Sequence, residues 1–460
     1  MHPWIARHLF YYPILALRGE RLYPYLREVR AFNRLSPEQM QTDQWRRLRV
    51  LLEYVYQHSP YNREKFDQHG ISPANIQSPD DFAKIPLLTK DEIRKHSARM
   101  ASTEKRRISH RHTSGSTGMP LDFVKDHDSL AYMNAIMHDC YSWHGIEIGD
   151  RQCRIWGLPR ELKRQISIYT RDFLLNRIRL SSFDVSDQSS TAFYHKVRRF
   201  RPKFMYGVPS YMTELALRLR RLGFNPADLR LHAIVATGEI LYPEQKQLMK
   251  EAYACPIVNE YGTTECGIIA FACPSDQMHV MSHNIYLEVV DPATGREVGP
   301  GETGEVVITD LTSYAMPFVR YHLGDIVERK ESPCPCGLHL PMLGHIEGRL
   351  EDMLTTPEGK KVAGGMFYYT LTKGIRKFKV YQRAIDRLEV YLEKGPDFDQ
   401  IDLNAIREKW KVYLGPRMNV TFQIVEEIPA DKSGKFRYFV SELPPAAHST
   451  QVVNDNPAKE

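Results

Sequence analysis

Apolar residues recur along this chain at two spacings, and the change between them divides it. Between Pro37 and His58, Leu48, Leu51, Leu52 and Val55 share one helical face behind a Ser36-Pro37-Glu38 start, which predicts a helix. Ala131 to Tyr141 predicts a second. Phe204-Met205-Tyr206 and His232 to Ala236 read as short buried strands, each ending in a glycine-containing turn, and Ile257 to Tyr261 as a third. Strands alternating with helices predict an α/β layered fold with ligands at the strand C-terminal ends. From Tyr286 the pattern becomes Leu287-Glu288-Val289-Val290, a Pro/Gly-rich turn, then Gly304 to Thr309. That is a hairpin, and it predicts a barrel-like β subdomain over about 284–346. Past Leu350, the alternation Leu388 to Leu392, a helix near Leu403 to Tyr413 and the run Val420 to Ile424 predict a small α+β domain. The predicted boundaries are 1–346 for a large domain, 353–445 for the small one and 446–460 for a polar, loose tail.

Composition narrows the class. A chain of 460 residues, 42% hydrophobic, is long enough for two or three domains with ample core. Its 62 Lys+Arg against 56 Asp+Glu leave +6, too even a balance for a nucleic-acid footprint, although anionic small molecules would be welcome. The segment Trp4 to Leu17 is apolar, but Arg7 and His8 interrupt it and it is too short to span a bilayer. It does not read as a secretory signal either, so a cytoplasmic protein is expected. Residues 1–30 then have two readings: a helix packed on the large domain, or a peripheral membrane contact helped by Arg18, Arg21 and Arg27. Both stay open, as does a homodimer.

Candidate chemistry starts at Thr113-Ser114-Gly115-Ser116-Thr117-Gly118-Met119-Pro120. Glycines let backbone N–H groups approach a phosphate, and hydroxyls add donors. The Gly-Lys-Ser/Thr ending of a Walker A loop is missing. The helix after this loop would offer its N-terminus to anionic oxygens. Downstream lie YGTTECG (Tyr261–Gly267), RYHLGD (Arg320–Asp325), GHIEGRLED (Gly344–Asp352) and SGKFR (Ser433–Arg437). In this order, from about Leu88 to Val440, the set resembles the core motifs of the adenylate-forming superfamily of acyl-CoA synthetases, luciferases and nonribosomal adenylation domains. Tyr206-Gly207-Val208-Pro209-Ser210 and Thr237-Gly238-Glu239 resemble the phenylacetate–CoA ligase branch, most closely its relatives from capsular-polysaccharide gene clusters.

The resemblance implies ATP- and Mg²⁺-dependent activation of a carboxylic acid as acyl-AMP, then transfer to CoA. Such chemistry builds negative charge on phosphate, so it needs cations, donors and positioning. By resemblance Glu265 would hold Mg²⁺, Thr263 and Thr264 would bond phosphate oxygens, and Tyr261 would stack on adenine. Gly238 and Glu239 would line the adenine, with Glu260 or the preceding Asn259 at its edge, and Asp325 would accept the ribose hydroxyls with Arg349 beside it. Lys435 would reach both the substrate carboxylate and the α-phosphate from a mobile loop. Residues 347–352 would be the hinge on which the small domain turns between half-reactions, with Glu351 where the family has Asp and Asp352 following. Trp156, Tyr206, Pro209 and Ser210 would line the pocket for an aryl or other hydrophobic acid. An amine acceptor in polysaccharide or natural-product assembly is the alternative to CoA, and an inactive nucleotide-binding homologue is a second.

Seven cysteines is an odd number, and four candidate ligands fall in two clusters: Cys273 with His279, and Cys334 with Cys336. A hairpin between them would fold the pairs into a tetrahedral Cys₃His site, with His283 and His339 as alternative ligands. By resemblance to phenylacetate–CoA-ligase-like proteins the metal would be a structural Zn²⁺, since four protein ligands leave no open position.

Overall fold

The computed structural model describes residues 1–113, 121–157, 161–180, 186–331, 333–350, 353–362, 367, 369–371, 374–395, 398–429 and 436–443. It is an α/β protein of two compact units. The first comprises Met1–Leu287, Val307–His322 and Lys330–Leu343, and the second Glu288–Val306, Leu323–Arg329 and Gly344–Glu460.

After a run of helices between Pro3 and Met100, the first unit has an antiparallel hairpin of β1 (Ile108–His112) and β2 (Asp122–Asp126). Its main sheet holds β3 (Gln152–Ile155), β4 (Arg177–Leu180), β5 (Phe204–Gly207), β6 (Ala233–Thr237) and β7 (Ile257–Thr263). These five are parallel in the order β4-β3-β5-β6-β7. β8 (Gly267–Ala272) and β9 (Met278–Val280) extend the sheet antiparallel beyond β7. All five residues of β6 are buried, as a central parallel strand covered on both faces requires. Helices over Pro209–Arg221 and Pro243–Tyr253 contribute Met212, Leu215 and Met249 to one core with Met205 and Ile234.

The Pro37–His58 helix forms where its spacing predicts. Ser36 and Gln39 close a reciprocal capping box, and Leu48, Leu51, Leu52 and Val55 are buried against Phe66, Phe82 and Val319. The second predicted helix runs over His127–Trp143. It does not follow the Ser114–Gly118 loop directly, because β2 intervenes. Its N-terminus is also taken. The Asp126 carboxylate accepts from Ser129 N at 2.7 Å and from the Tyr314 and Ala315 amides at 3.0 and 2.9 Å. A capping carboxylate already meets the helix dipole there, so the expected anion site at this helix end is not available.

In the second unit, β10 (Ile375–Ala384), β11 (Arg387–Lys394), β12 (Asn419–Val425) and β13 (Phe439–Ser441) form a sheet in the order β12-β11-β10-β13. Leu388, Val390 and Leu392 point inward at every second position. The Leu403–Leu414 helix buries Trp410, whose ring lies 4.7 Å from Phe367 and whose Nε1 donates to Thr370 Oγ1 at 2.7 Å.

Candidate active site and metal centre

Register decides what meets at the top of the sheet. Arg154 sits opposite Tyr206, Tyr206 opposite Val235, and Thr237 opposite Glu260. The C-terminal ends of β3, β5, β6 and β7 therefore bring together Trp156, Tyr206, Pro209, Gly238, Glu239 and Tyr261. Gly207 allows the close approach of β3: a Cβ there would stand 2.6 Å from the Ile155 carbonyl. Gly262 does the same where the β7–β8 register shifts, since its Cβ would meet the Gly267 carbonyl at 2.5 Å.

Trp156 and Tyr206 stack with centroids 5.8 Å apart, and the Arg154 guanidinium lies over both rings, 5.5 and 4.8 Å from their centroids. Tyr206 Oη donates to Glu260 Oε1 at 3.1 Å, and Tyr141 Oη donates to Glu260 Oε2 at 3.2 Å. Burial raises the Glu260 pKa, while bonds from Thr237, Tyr206 and Tyr141 oppose that shift. Glu260 is thus an inward-facing, fully engaged carboxyl. Glu239 Oε2 accepts from Ser210 N at 3.1 Å, pinning the start of the Pro209–Arg221 helix to the β6 turn.

Glu265 is buried and accepts one bond, from Tyr321 Oη at 3.1 Å. Among the described residues it has no ion-pair partner. Thr263 Oγ1 accepts from Cys266 N at 3.1 Å and its hydroxyl also bonds the Cys266 side chain, and Thr264 is exposed beside it. In the second unit, Arg349 Nε stands 3.8 Å from Asp325 Oδ1. Ser114, Gly115, Ser116, Thr117, Gly118, Glu351, Asp352 and Lys435 lie outside the described residues.

Cys273, His279, Cys334 and Cys336 come together with their ligand atoms all within 4.8 Å of one another. The Cys273 and Cys334 sulfurs are 3.6 Å apart, and Cys336 Sγ is 3.2 Å from His279 Nε2. Zn–S bonds of about 2.3 Å imply a tetrahedral edge of about 3.8 Å, so the donor set suits zinc. His279 Nδ1 is 3.0 Å from the Leu340 carbonyl. Donating there fixes the tautomer and turns the Nε2 lone pair to the thiols. Antiparallel pairing of Met342 with His279 joins the two sequence clusters. The alternative ligands lie elsewhere. The His283 ring packs 5.5 Å from Phe32, where burial pushes its pKa down to about 4, and His339 is exposed.

Three site residues carried no sequence assignment: Tyr141, Arg154 and Tyr321. Only Arg154 left a local signal, a charge between Cys153 and Ile155 in the strand that leads into Trp156.

A family model described as AMP-binding enzyme matches residues 110–312, and one for the CapK C-terminal domain matches 354–442. The phenylacetate-coenzyme A ligase of Thermus thermophilus is 26% identical over 443 residues, covering 88% of this chain and 96% of that protein. Protein CapK of Staphylococcus aureus is 22% identical over 434 residues, covering 92% of each. Among solved structures, 2-hydroxyisobutyryl-CoA ligase in its postadenylation state with 2-HIB-AMP shares the fold. Its TM-score is 0.72 at 22% identity, over 92% of this chain and 91% of that one. The order of its motifs, the family-model matches and these relatives support an adenylate-forming protein of the phenylacetate–CoA ligase-like branch that has CapK-like relatives.

Proposed function

We propose that the protein activates a carboxylic acid with ATP as acyl-AMP and passes the acyl group to CoA, the acid being aryl or otherwise hydrophobic. The observation that carries this reading is Glu265, a buried carboxylate with one hydroxyl donor and no cation beside it among the described residues. Leaving such a group uncompensated is costly. Mg²⁺ on the ATP phosphates would supply the missing charge and neutralise what develops as pyrophosphate leaves.

The protein's own groups do the rest by positioning. Tyr321 orients the Glu265 carboxylate, Thr263 and Thr264 offer hydroxyls to phosphate oxygens, and Tyr261 presents a face for adenine. Asp325 would take the ribose hydroxyls with Arg349 beside it, and Lys435 would bridge substrate carboxylate and α-phosphate. Glu351 and Asp352 keep their proposed hinge role. The stacked Trp156 and Tyr206 rings favour a planar or apolar acid. The Cys273–His279–Cys334–Cys336 quartet would hold a structural zinc, closed to substrate by its four ligands.

The activities of the relatives support a CoA acceptor, because several are phenylacetate-coenzyme A ligases. A carboxylic-acid panel scored for pyrophosphate release, with and without CoA, tests the reading. Acid-dependent pyrophosphate release with CoA-dependent thioester formation is expected. Release that instead needs an amine would replace CoA as acceptor, and no release with any acid would leave a nucleotide-binding homologue.

A further inference from the structure

The first unit carries two outward apolar stripes that nothing in the reaction uses. The N-terminal segment is three helical pieces, Pro3–Ile5, Ala6–Tyr11 and Tyr12–Leu17. Its inner face, with Ala6, Tyr11 and Leu15, is buried, and Tyr11 Oη bonds His138 Nε2 at 2.5 Å. Its outer face presents Trp4, Ile5, Leu9 and Leu17, the last 84% exposed. Packing on the protein and facing outward are therefore both true of this segment.

The second stripe lies on the Leu162–Leu174 helix, which packs against the Ala6–Tyr11 turn. Asn176, just past that helix, donates from Nδ2 to the Met1 carbonyl at 3.1 Å. Leu162, Ile166, Tyr169 and Phe173 follow at intervals of four, three and four, one face of a helix, and all are exposed, Phe173 by 70%. An amphipathic helix normally turns this face to the core; here it points away from it.

The charge around the stripes has one sign in surplus. Lys163 and Arg171 are exposed on the same helix, and neither they nor Arg111 has an ion pair among the described residues. Arg18 and Arg171 both act electrostatically on Arg111, opposed by Glu20, which pairs with Arg18 at 2.8 Å, so Lys163 and Arg171 remain the cations without an ion-pair partner on this face among the described residues. Burial, with these neighbouring charges, lowers the Arg111 pKa.

We propose that this face docks on a bilayer bearing anionic headgroups. The two apolar stripes enter the acyl boundary while Lys163 and Arg171 meet headgroup phosphates. Apolar stripes with aromatics, rimmed by unpaired cations, are what an interfacial surface needs. A second copy of the chain fits poorly, because a two-fold contact would set this cationic patch against itself. Among the described residues no helix is long and apolar enough to cross a membrane, so the protein would lie on the surface. The proposal is independent of which acid or acceptor is used.

Flotation of the full chain with phosphatidylcholine vesicles, with and without phosphatidylglycerol, tests it. Binding to the anionic vesicles alone, weakened by salt, is expected. Leu9→Glu/Leu17→Glu and Ile166→Glu/Phe173→Glu should each reduce partitioning on the order of tenfold or more, and Lys163→Glu/Arg171→Glu should remove the preference for phosphatidylglycerol. Circular dichroism should show all three variants folded, since the altered side chains are exposed. Should one unfold, quenching of wild-type fluorescence by brominated lipid, reduced in Trp4→Phe, reads the same contact without it. Failure of the wild type to float with anionic vesicles overturns the proposal. So does a solution dimer that dissociates in Leu9→Glu/Leu17→Glu, which would make a second copy the occupant.

Discussion

Tyr321→Phe isolates the hydroxyl that, among the described residues, holds Glu265. The ring is fully buried and packs 5.2 Å from Phe318, so the phenyl replacement keeps the ring's shape and removes the hydroxyl that donates to Glu265 at 3.1 Å. A hydrogen bond to a charged group contributes about 1.5–3 kcal/mol, and 1.4 kcal/mol is one decade, so the loss should be roughly ten- to one-hundred-and-fifty-fold. If Tyr321 orients the carboxylate for Mg²⁺, that loss appears as a raised Mg²⁺ requirement in acid-dependent ATP–pyrophosphate exchange. Glu265→Gln keeps the geometry but removes the charge, and should cost on the order of 10²–10³ in the same assay. Combining the two should cost little more than Glu265→Gln alone, because the hydroxyl acts through the charge it no longer meets. Strictly additive losses, or a Tyr321→Phe enzyme with lowered stability and wild-type Mg²⁺ dependence, would refute the assignment of Glu265 to magnesium.

Lys435→Ala should cut acyl-AMP formation on the order of 10²–10³ while sparing thioester formation from supplied acyl-AMP, and equal loss in both steps would count against two working conformations. Asp325→Ala should weaken ATP binding by roughly 1.5–3 kcal/mol, less for 2′,3′-dideoxy-ATP, and calorimetry showing no such coupling would move the ribose contact to Arg349. Freshly purified, reduced protein should contain about one zinc per chain, and Cys336→Ser should lower thermal stability before it alters the chemistry; metal analysis without zinc removes the site. His138, pushed down to about 3 by burial, binds a proton in the unfolded chain before it does in the fold. Its contribution is lost as pH falls from about 6.5 towards 3, at about 1.4 kcal/mol per pH unit, and His138→Asn should flatten that part of the stability profile.

What was legible in the sequence was whatever chemistry is carried by neighbours in the chain. Tyr261 to Glu265 announces itself because a strand, a bulge and a turn within five residues set all its side chains. The Cys273–His279–Cys334–Cys336 cluster is readable for a related reason, since each pair is close in sequence, although three strands, not a single hairpin, separate β9 from the strand at Met342 that pairs with it. Contacts made across the sheet leave no such trace. Tyr321 reaches Glu265 from 56 residues away, and nothing in RYHLGD says that its tyrosine points inward at a carboxylate. The buried Lys125–Asp310 pair is silent for the same reason, since a lysine in a hairpin strand reads as solvated until the second partner is placed. The helix at His127 shows the opposite failure. Its existence was plain from periodicity, but its function was misjudged because Asp126 belongs to the cap rather than to the loop before it. The outward stripe from Leu162 to Phe173 shows why periodicity alone stops short of function. The spacing specifies a helix with one apolar face, and only the fold reveals that this face is turned away from the core, leaving the choice of what covers it to the charges around it.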